Sequence, residues 1–259
     1  AQDDEQIPEM AVGIYDWAVV LDHAEHRAWL IRQGFDERTS ARWEYLRAMF
    51  SQPAAIPFGN FFLTSPITSN MDKHAYAKAF HHVQDYIHAG DCYQVNLAQR
   101  FSAPAGGDPW AAYCLLREFS PAQFSAYLNY PRAQILSASP ERFLQVTGSH
   151  VETRPIKGTR PRAANPGQDQ ANAEELLASL KDRAENLMIV DLLRNDISKN
   201  CTTGSVKVKK LFELKSFANV HHLVSTITGQ LAPAHGALDL LRGCFPGGSI
   251  TGAPKLRAM

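Results

Sequence analysis

Thr153-Arg154-Pro155-Ile156-Lys157-Gly158-Thr159 sets a single lysine between a proline-stiffened strand and a glycine. Alternating side-chain direction along an extended chain puts Val151, Thr153, Pro155 and Lys157 on one face, where the ammonium shares its side with apolar neighbours. An amine in such a place is poorly hydrated. Desolvation favours the neutral amine, and a neutral amine is a nucleophile. Gly158 admits close approach of a ligand to the backbone, and the Thr159 hydroxyl offers a hydrogen bond. The same spacing also describes an exposed structural lysine, and only the surrounding chain separates the two roles.

Moving outward, 259 residues suffice for one large domain or two small ones. Lysine plus arginine equals aspartate plus glutamate at 26 each, so no global field recruits nucleic acid or an anionic membrane. An anionic ligand must be held by local groups. Cys92, Cys114, Cys201 and Cys244 lie far apart with no CxxC spacing, which argues against a zinc site or a disulfide framework and for a reducing cytoplasm. No apolar run approaches the roughly 20 residues that span a bilayer.

Upstream, residues 1–9 are acidic and expected to fray, and Val12 to Leu30 reads as a hairpin turning at Asp22-His23-Ala24-Glu25-His26. Glu37 to Phe50 reads as one amphipathic helix, followed by a loop with Pro53 and Pro57. Asn70 or Asp72 caps a helix ending at His88 before Gly90. Asp91 to Phe101 reads as a strand with Tyr93, Val95, Leu97 and Gln99 on one face and Gln94, Asn96 and Arg100 on the other. That second face meets solvent or lines a polar site. A helix at Trp110–Glu118 and strands near 124–128, 134–137 and 142–146 lead to the Lys157 strand.

Downstream, 160–169 reads as a loop and about Gln170 to Asp196 as one long helix whose second half is apolar on every side, as if surrounded by protein. Glu185, Ile189, Leu192 and Asp196 share a face, so two carboxylates bracket an apolar strip. Each needs a salt-bridge partner or a metal. Strands follow near 205–208, 211–214 and 220–228; in the last, His221 and His222 point to opposite faces and cannot chelate one metal together. Phe245 to Lys255 is a glycine-rich loop opening a helix at Pro254, either a backbone anion site or a plain turn. It is not a Walker loop, because Ala253-Pro254-Lys255 stands where Lys-Ser/Thr is required.

Six stretches together resemble the chorismate-utilising enzymes. They are Gly90-Asp91-Cys92-Tyr93-Gln94-Val95-Asn96-Leu97, Ser139-Pro140-Glu141-Arg142-Phe143, Arg154 to Thr159, Asp182 to Asp191, His221-His222-Leu223-Val224-Ser225, and Gly252-Ala253-Pro254-Lys255. All occur in the family's order. The resemblance implies an α+β fold of two large, mostly antiparallel sheets packed face to face with flanking helices, incomplete at both termini. Residues 1–70 would be the end of the variable N-terminal part and 71–259 the chorismate-binding core, its C-terminal part missing.

Within that family, hydrating enzymes carry lysine at the place of Gln94, so glutamine resembles the amine-adding branch; Lys157 resembles the branch that makes 4-amino-4-deoxychorismate from chorismate and ammonia on the way to p-aminobenzoate and folate. The resemblance gives Lys157 the role of nucleophile, through a covalent adduct at C2. It makes Glu141 the acid that protonates the leaving hydroxyl and His222 the site histidine. It makes Glu185 a Mg²⁺ ligand, and Gln94, Gly158, Thr159, Gly248 and Ser249 substrate contacts. Ammonia would come from a separate glutamine amidotransferase subunit. A second magnesium ligand and the groups gripping the enolpyruvyl carboxylate are expected beyond Met259, so the chain alone is expected to be weakly active or inactive. Competing expectations are an anthranilate synthase large subunit, and a non-catalytic module that only holds chorismate or another anion.

Overall fold

The computed structural model describes residues 7, 8, 10–52 and 59–259. Residues 1–6 of the acidic start and the loop with Pro53 and Pro57 lie outside the described residues. The chain divides into two compact units, one of residues 1–60 with 129–134 and one of 61–128 with 135–259.

In the first unit, strands β1 (Trp17–Asp22) and β2 (Arg27–Arg32) form the expected hairpin, its turn tied by Asp22 Oδ1 to the N–H groups of Ala24 and Glu25. The single helix expected over 37–50 is two, α1 (Glu37–Ala41) and α2 (Trp43–Phe50), interrupted at Arg42. Asp36 caps α1 through the Arg38 N–H, which starts that helix early and independently.

The second unit opens with β3 (Phe61–Leu63), β4 (Thr68–Ser69) and α3 (Lys73–His88), capped by Asp72 and stopped before Gly90 at φ +79°. The strand expected over 91–101 shrinks to β5 (Gln94–Val95) and β6 (Phe101–Ser102). The partner of β5 offers only two residues, so the ladder has nothing longer to pair with. Next come β7 (Ala105–Gly107), α4 (Pro109–Phe119), the hairpin β8 (Phe124–Tyr130) and β9 (Ala133–Ser139), and β10 (Arg142–Thr147).

β11 (His150–Arg154) and β12 (Ile156–Pro161) are two halves of one strand interrupted at Pro155, which has no N–H to give. α5 (Pro166–Ala178) begins inside the expected loop because Asn165 caps it and Pro166 starts it. α6 (Leu180–Ser198) is separate from α5, because Ser179 adopts an extended conformation and accepts the Asp182 N–H as a new N-cap. β13 (Lys207–Ser216) merges the two strands expected there, with irregular pairing around Phe212 at φ +57°. β14 (Val220–Gln230), α7 (Ala237–Cys244), α8 (Gly248–Thr251), β15 (Gly252–Ala253) and α9 (Lys255–Ala258) complete the chain.

β10, β11, β12, β13 and β14 build a five-stranded antiparallel sheet, with β14 between the β11–β12 strand and β13. Buried along nearly its whole length, β14 is covered on both faces. The α+β class and the antiparallel pairing are as expected. Where two large sheets were anticipated, the described residues instead make this sheet and five two-stranded ladders, most of them from segments of two or three residues. The core lies where α6 and α7 cover one sheet face: Ile189, Val190, Leu193 and Ile197 meet Val151, Ile227 and Leu240. Helix α6 is not apolar all round in its setting, since Leu187 is half exposed and Asp191 points to solvent. Its buried residues follow one helical stripe.

Candidate active site

Lys157 sits opposite Leu223 and Thr159 opposite His222, with Gly158 bulged out between them at φ +80°. A methyl group on Gly158 would lie 2.8 Å from Leu176 Cδ1 and 3.0 Å from Asp182 Cβ, so only glycine fits here. The extra residue turns the alternation over. Lys157 shares the face of Leu223, Ser225 and Ile227, which packs on α6, whereas Thr159 shares the opposite face with His222. The lysine is half-buried and makes no hydrogen bond or ion pair among the described residues.

Glu141 stands where the β10–β11 ladder ends at Arg142 and Arg154. Its Oε1 accepts the N–H of Ile156 at 3.1 Å, beside Lys157, and the Ser249 hydroxyl at 2.8 Å. Ser249 belongs to α8, a single turn too short to form an anion site of its own. Gly248 lets that turn approach α6, since a Cβ there would lie 2.4 Å from Leu192 Cδ2. The Ser249 carbonyl accepts Asn96 Nδ2 at 3.0 Å, and Asn96 Oδ1 accepts Gln94 Nε2 at 3.3 Å. Gln94 Oε1 is buried with no partner among the described residues.

His222 is buried, with Nδ1 3.0 Å from Thr159 Oγ1. Burial lowers its pKa, opposed by a hydrogen bond with the Gly158 backbone, so the neutral imidazole is favoured. His221 faces the other way, between Ser216 Oγ at 2.8 Å and Asp169 Oδ1 at 3.1 Å. The bidentate Arg162 guanidinium, the Ala163 N–H and His221 hold the Asp169 carboxyl well below the usual carboxylate range.

The two carboxylates that bracket the apolar strip of α6, Glu185 and Asp196, part company. Asp196 is the bridged one, bound by Lys199 at 2.9 Å and by Lys255, whose ammonium also donates to the Cys244 carbonyl at 2.7 Å. Glu185 is half-buried and has no cationic partner among the described residues. Its neighbour Asn186 docks the helix on β14: Nδ2 donates to the Leu223 carbonyl at 3.1 Å, and Oδ1 accepts the Ser225 hydroxyl at 2.6 Å. Leu223 is the register partner of Lys157, so Glu185 and Lys157 are carried by elements joined at that point. A half-buried, unpaired carboxylate fits a hard cation that takes oxygen ligands. No group of three or more metal-ligating side chains exists among the described residues.

The sequence model described as chorismate binding enzyme matches residues 1–259, the whole chain. The chain belongs to the chorismate-binding enzyme family. Among curated members, aminodeoxychorismate synthase component 1 of Escherichia coli strain K12 is 52% identical over 259 residues, covering 100% of this chain and 56% of that protein. The protein of the same name from Bacillus subtilis strain 168 is 36% identical over 269 residues, again covering 56% of its length. This chain therefore spans just over half the length of these relatives. Among solved structures, anthranilate synthase component I from Streptococcus pneumoniae TIGR4 superposes with a TM-score of 0.81 at 32% identity, over 98% of this chain and 59% of that one. The menaquinone-specific isochorismate synthase MenF of Escherichia coli, at 19% identity and a TM-score of 0.67, shares the fold.

In this member of the family, Glu141 and Ser249 line one cavity of about 220 Å³ together with Thr153, whose hydroxyl is buried with no partner among the described residues. His222 lines another of about 250 Å³ with Pro140 and Phe217. Lys157 and Glu185 line neither. Thus the geometry joins Glu141, Ser249 and Gln94 in one hydrogen-bonded chain, joins Lys157 to the α6 side, and sets His222 with Thr159 on the far face. Sequence reasoning placed Asn96 on a polar face without giving it a task, and it missed the Asn186–Ser225 lock entirely. Asparagine in an apolar helical stripe was the available signal for the second.

Proposed function

We propose that this chain carries the chemistry of an aminodeoxychorismate synthase, which replaces the C4 hydroxyl of chorismate with the nitrogen of ammonia to give 4-amino-4-deoxychorismate and water, toward p-aminobenzoate and folate. The observation that carries the reading is Lys157, half-buried and unpaired among the described residues, next to the Ile156 N–H that anchors Glu141. The 52% identity to a protein named for this activity supports it.

The Lys157 amine attacks C2 of the ring. As the C2–N bond forms, both ring double bonds shift by one position, the C4–O bond breaks, and Glu141 gives its proton so that the hydroxyl leaves as water. Ammonia then adds at C4, both double bonds shift back, and the C2–N bond breaks to return Lys157 as an amine. The surplus proton on the new ammonium restores Glu141. A tethered amine takes the first step at high effective concentration, and two easier displacements replace one difficult one. Gln94, with a buried free acceptor, and the backbone near Gly158, Thr159, Gly248 and Ser249 contact the substrate. His222, neutral through burial, suits a hydrogen-bonding role better than a charged one. Glu185 would hold Mg²⁺, which when bound neutralises the ring carboxylate of the substrate. Ammonia is assigned to a partner glutamine amidotransferase, in keeping with relatives named component 1. The four free thiols agree with a reducing cytoplasm. No helix among the described residues is long and apolar enough to cross a membrane.

The likeness to an anthranilate synthase component I favours a second reading, formation of the 2-amino isomer with loss of pyruvate. Chorismate, Mg²⁺ and ammonium supplied to the protein as its host produces it separate the two by product mass and chromatography. The expected product is 4-amino-4-deoxychorismate, with Lys157→Ala losing at least about a hundredfold in rate and the mass of the parental lysine peptide rising on brief exposure to chorismate. Anthranilate plus pyruvate, with the variant as fast as the parent, would overturn the proposal.

A further inference from the structure

Asn96 has no part in the chemistry above, yet it makes two contacts to the Ser249–Thr251 segment and a third to Gln94. Nδ2 donates to the Ser249 carbonyl at 3.0 Å, the backbone N–H donates to the Thr251 carbonyl at 3.0 Å, and Oδ1 accepts Gln94 Nε2 at 3.3 Å. β5 and β15 pair alongside, Val95 with Gly252 and Gln94 with Ala253. Gly252, at φ +146°, lies so close to the Gln94 carbonyl that a Cβ would sit 2.2 Å from it. The segment around Ser249 is therefore fixed against β5 on one side and against Leu192 of α6 on the other.

We propose that Asn96 and Ser249 are positioning residues, a strut that fixes which oxygen of Glu141 delivers the proton. This rests on the reading of Glu141 as the acid. Oε1 takes two donors, Ser249 Oγ–H and Ile156 N–H, while Oε2 has no partner among the described residues. In a protonated carboxyl group one oxygen is carbonyl-like and accepts, while the other carries the O–H and donates. Two donors on Oε1 make it the carbonyl oxygen, so the proton resides on Oε2 and leaves from there. Asn96 acts one step further back, holding the Ser249 backbone so that its hydroxyl points at Oε1. The Ser249 hydroxyl touches the reaction only through Glu141, and Asn96 Nδ2 only through Ser249.

A double-mutant cycle on the protein as its host produces it, assayed with chorismate, Mg²⁺ and ammonium, tests this. Ser249→Ala is expected to lower kcat by about tenfold while leaving the KM for chorismate within about twofold, because orientation and not binding is lost. Ser249→Thr, which keeps the hydroxyl, restores most of that kcat. Asn96→Asp keeps the acceptor for Gln94 but loses the donor to Ser249. It lowers kcat in the same way and gives an independent arm should Ser249→Ala fail to fold. In a Glu141→Gln background neither change has a further effect on kcat, because residues acting through one group are not additive. Equal losses in both backgrounds, or a raised KM at unchanged kcat, would overturn the strut while leaving Glu141 as the acid. Parental kcat in Glu141→Gln alone would instead overturn the acid assignment, and the strut with it.

Discussion

Lys157 and Glu185 are half-buried ionisable groups with no protein partner among the described residues, set on a strand and a helix that Asn186 joins. Their neighbours of like chemistry, Asp182 and Asp196, are both paired with basic side chains. Unpaired charge at partial burial is costly, so a fold that tolerates it in two places is keeping those groups for something else. Glu185→Gln preserves shape and removes charge; the magnesium concentration at half-maximal rate should rise by at least about tenfold, as losing a carboxylate ligand from an oxygen site would require. A metal titration of the initial rate reads it, and an unchanged midpoint would free Glu185 from that role. Gly158 belongs to the same scale. Gly158→Ala places a methyl group against Leu176 and Asp182 at a left-handed backbone position, so both folding yield and activity should fall.

Helix α6 and strand β14 are the elements on which the site depends, and they were legible to different degrees. The apolar content of α6 and its carboxylates stood out in the sequence; its start did not, because Ser179 lies among good helix formers and becomes a cap only through its own extended conformation. The helix α3 was read almost residue for residue, since Asp72 and Gly90 are strong local signals. The long strand expected at 91–101 failed because alternation reports which face a side chain takes, not whether a partner strand is there. The Glu141–Ser249 contact spans 108 residues of sequence, and no local pattern announces it. Its individual residues were nameable only from the family motifs. Where α6 meets the sheet, Ile189 is fully buried, so Ile189→Ala should cost about 2–5 kcal/mol in denaturant unfolding, the usual range for emptying a core position. A loss below about 0.5 kcal/mol, the scale of a surface change, would mean that α6 is not packed as described.

At the scale of the molecule, the ionisable groups shifted by folding define a pH range in which the fold is most stable. On the acid side, His222 has its pKa lowered by burial from 6.5, so below pH 6.5 the unfolded chain binds a proton that the native state resists, and stability falls as pH falls. Asp169, held low by Arg162, and Glu213, held low by Lys210 and then Lys215, add a second loss. Their contributions are complete above the ordinary values of 3.8 and 4.5 and vanish as the pH drops through the native values. On the alkaline side, burial, with Asp196 adding to it, pushes the Cys244 thiol up to about 12, while Lys255 and Lys199 oppose the shift; burial also raises Cys201. Above pH 9 the unfolded thiols ionise first, so stability falls again. The denaturation midpoint should therefore form a plateau between roughly pH 6.5 and 9 with a two-stage acid limb. His222→Gln should flatten only the upper stage of that limb, and Cys244→Ala should extend the plateau toward alkaline pH while lowering its height through the lost packing. A single acid transition near pH 4, unchanged by His222→Gln, would show that the imidazole is as well hydrated in the native state as in the unfolded one, against its burial between Thr159 and Phe217.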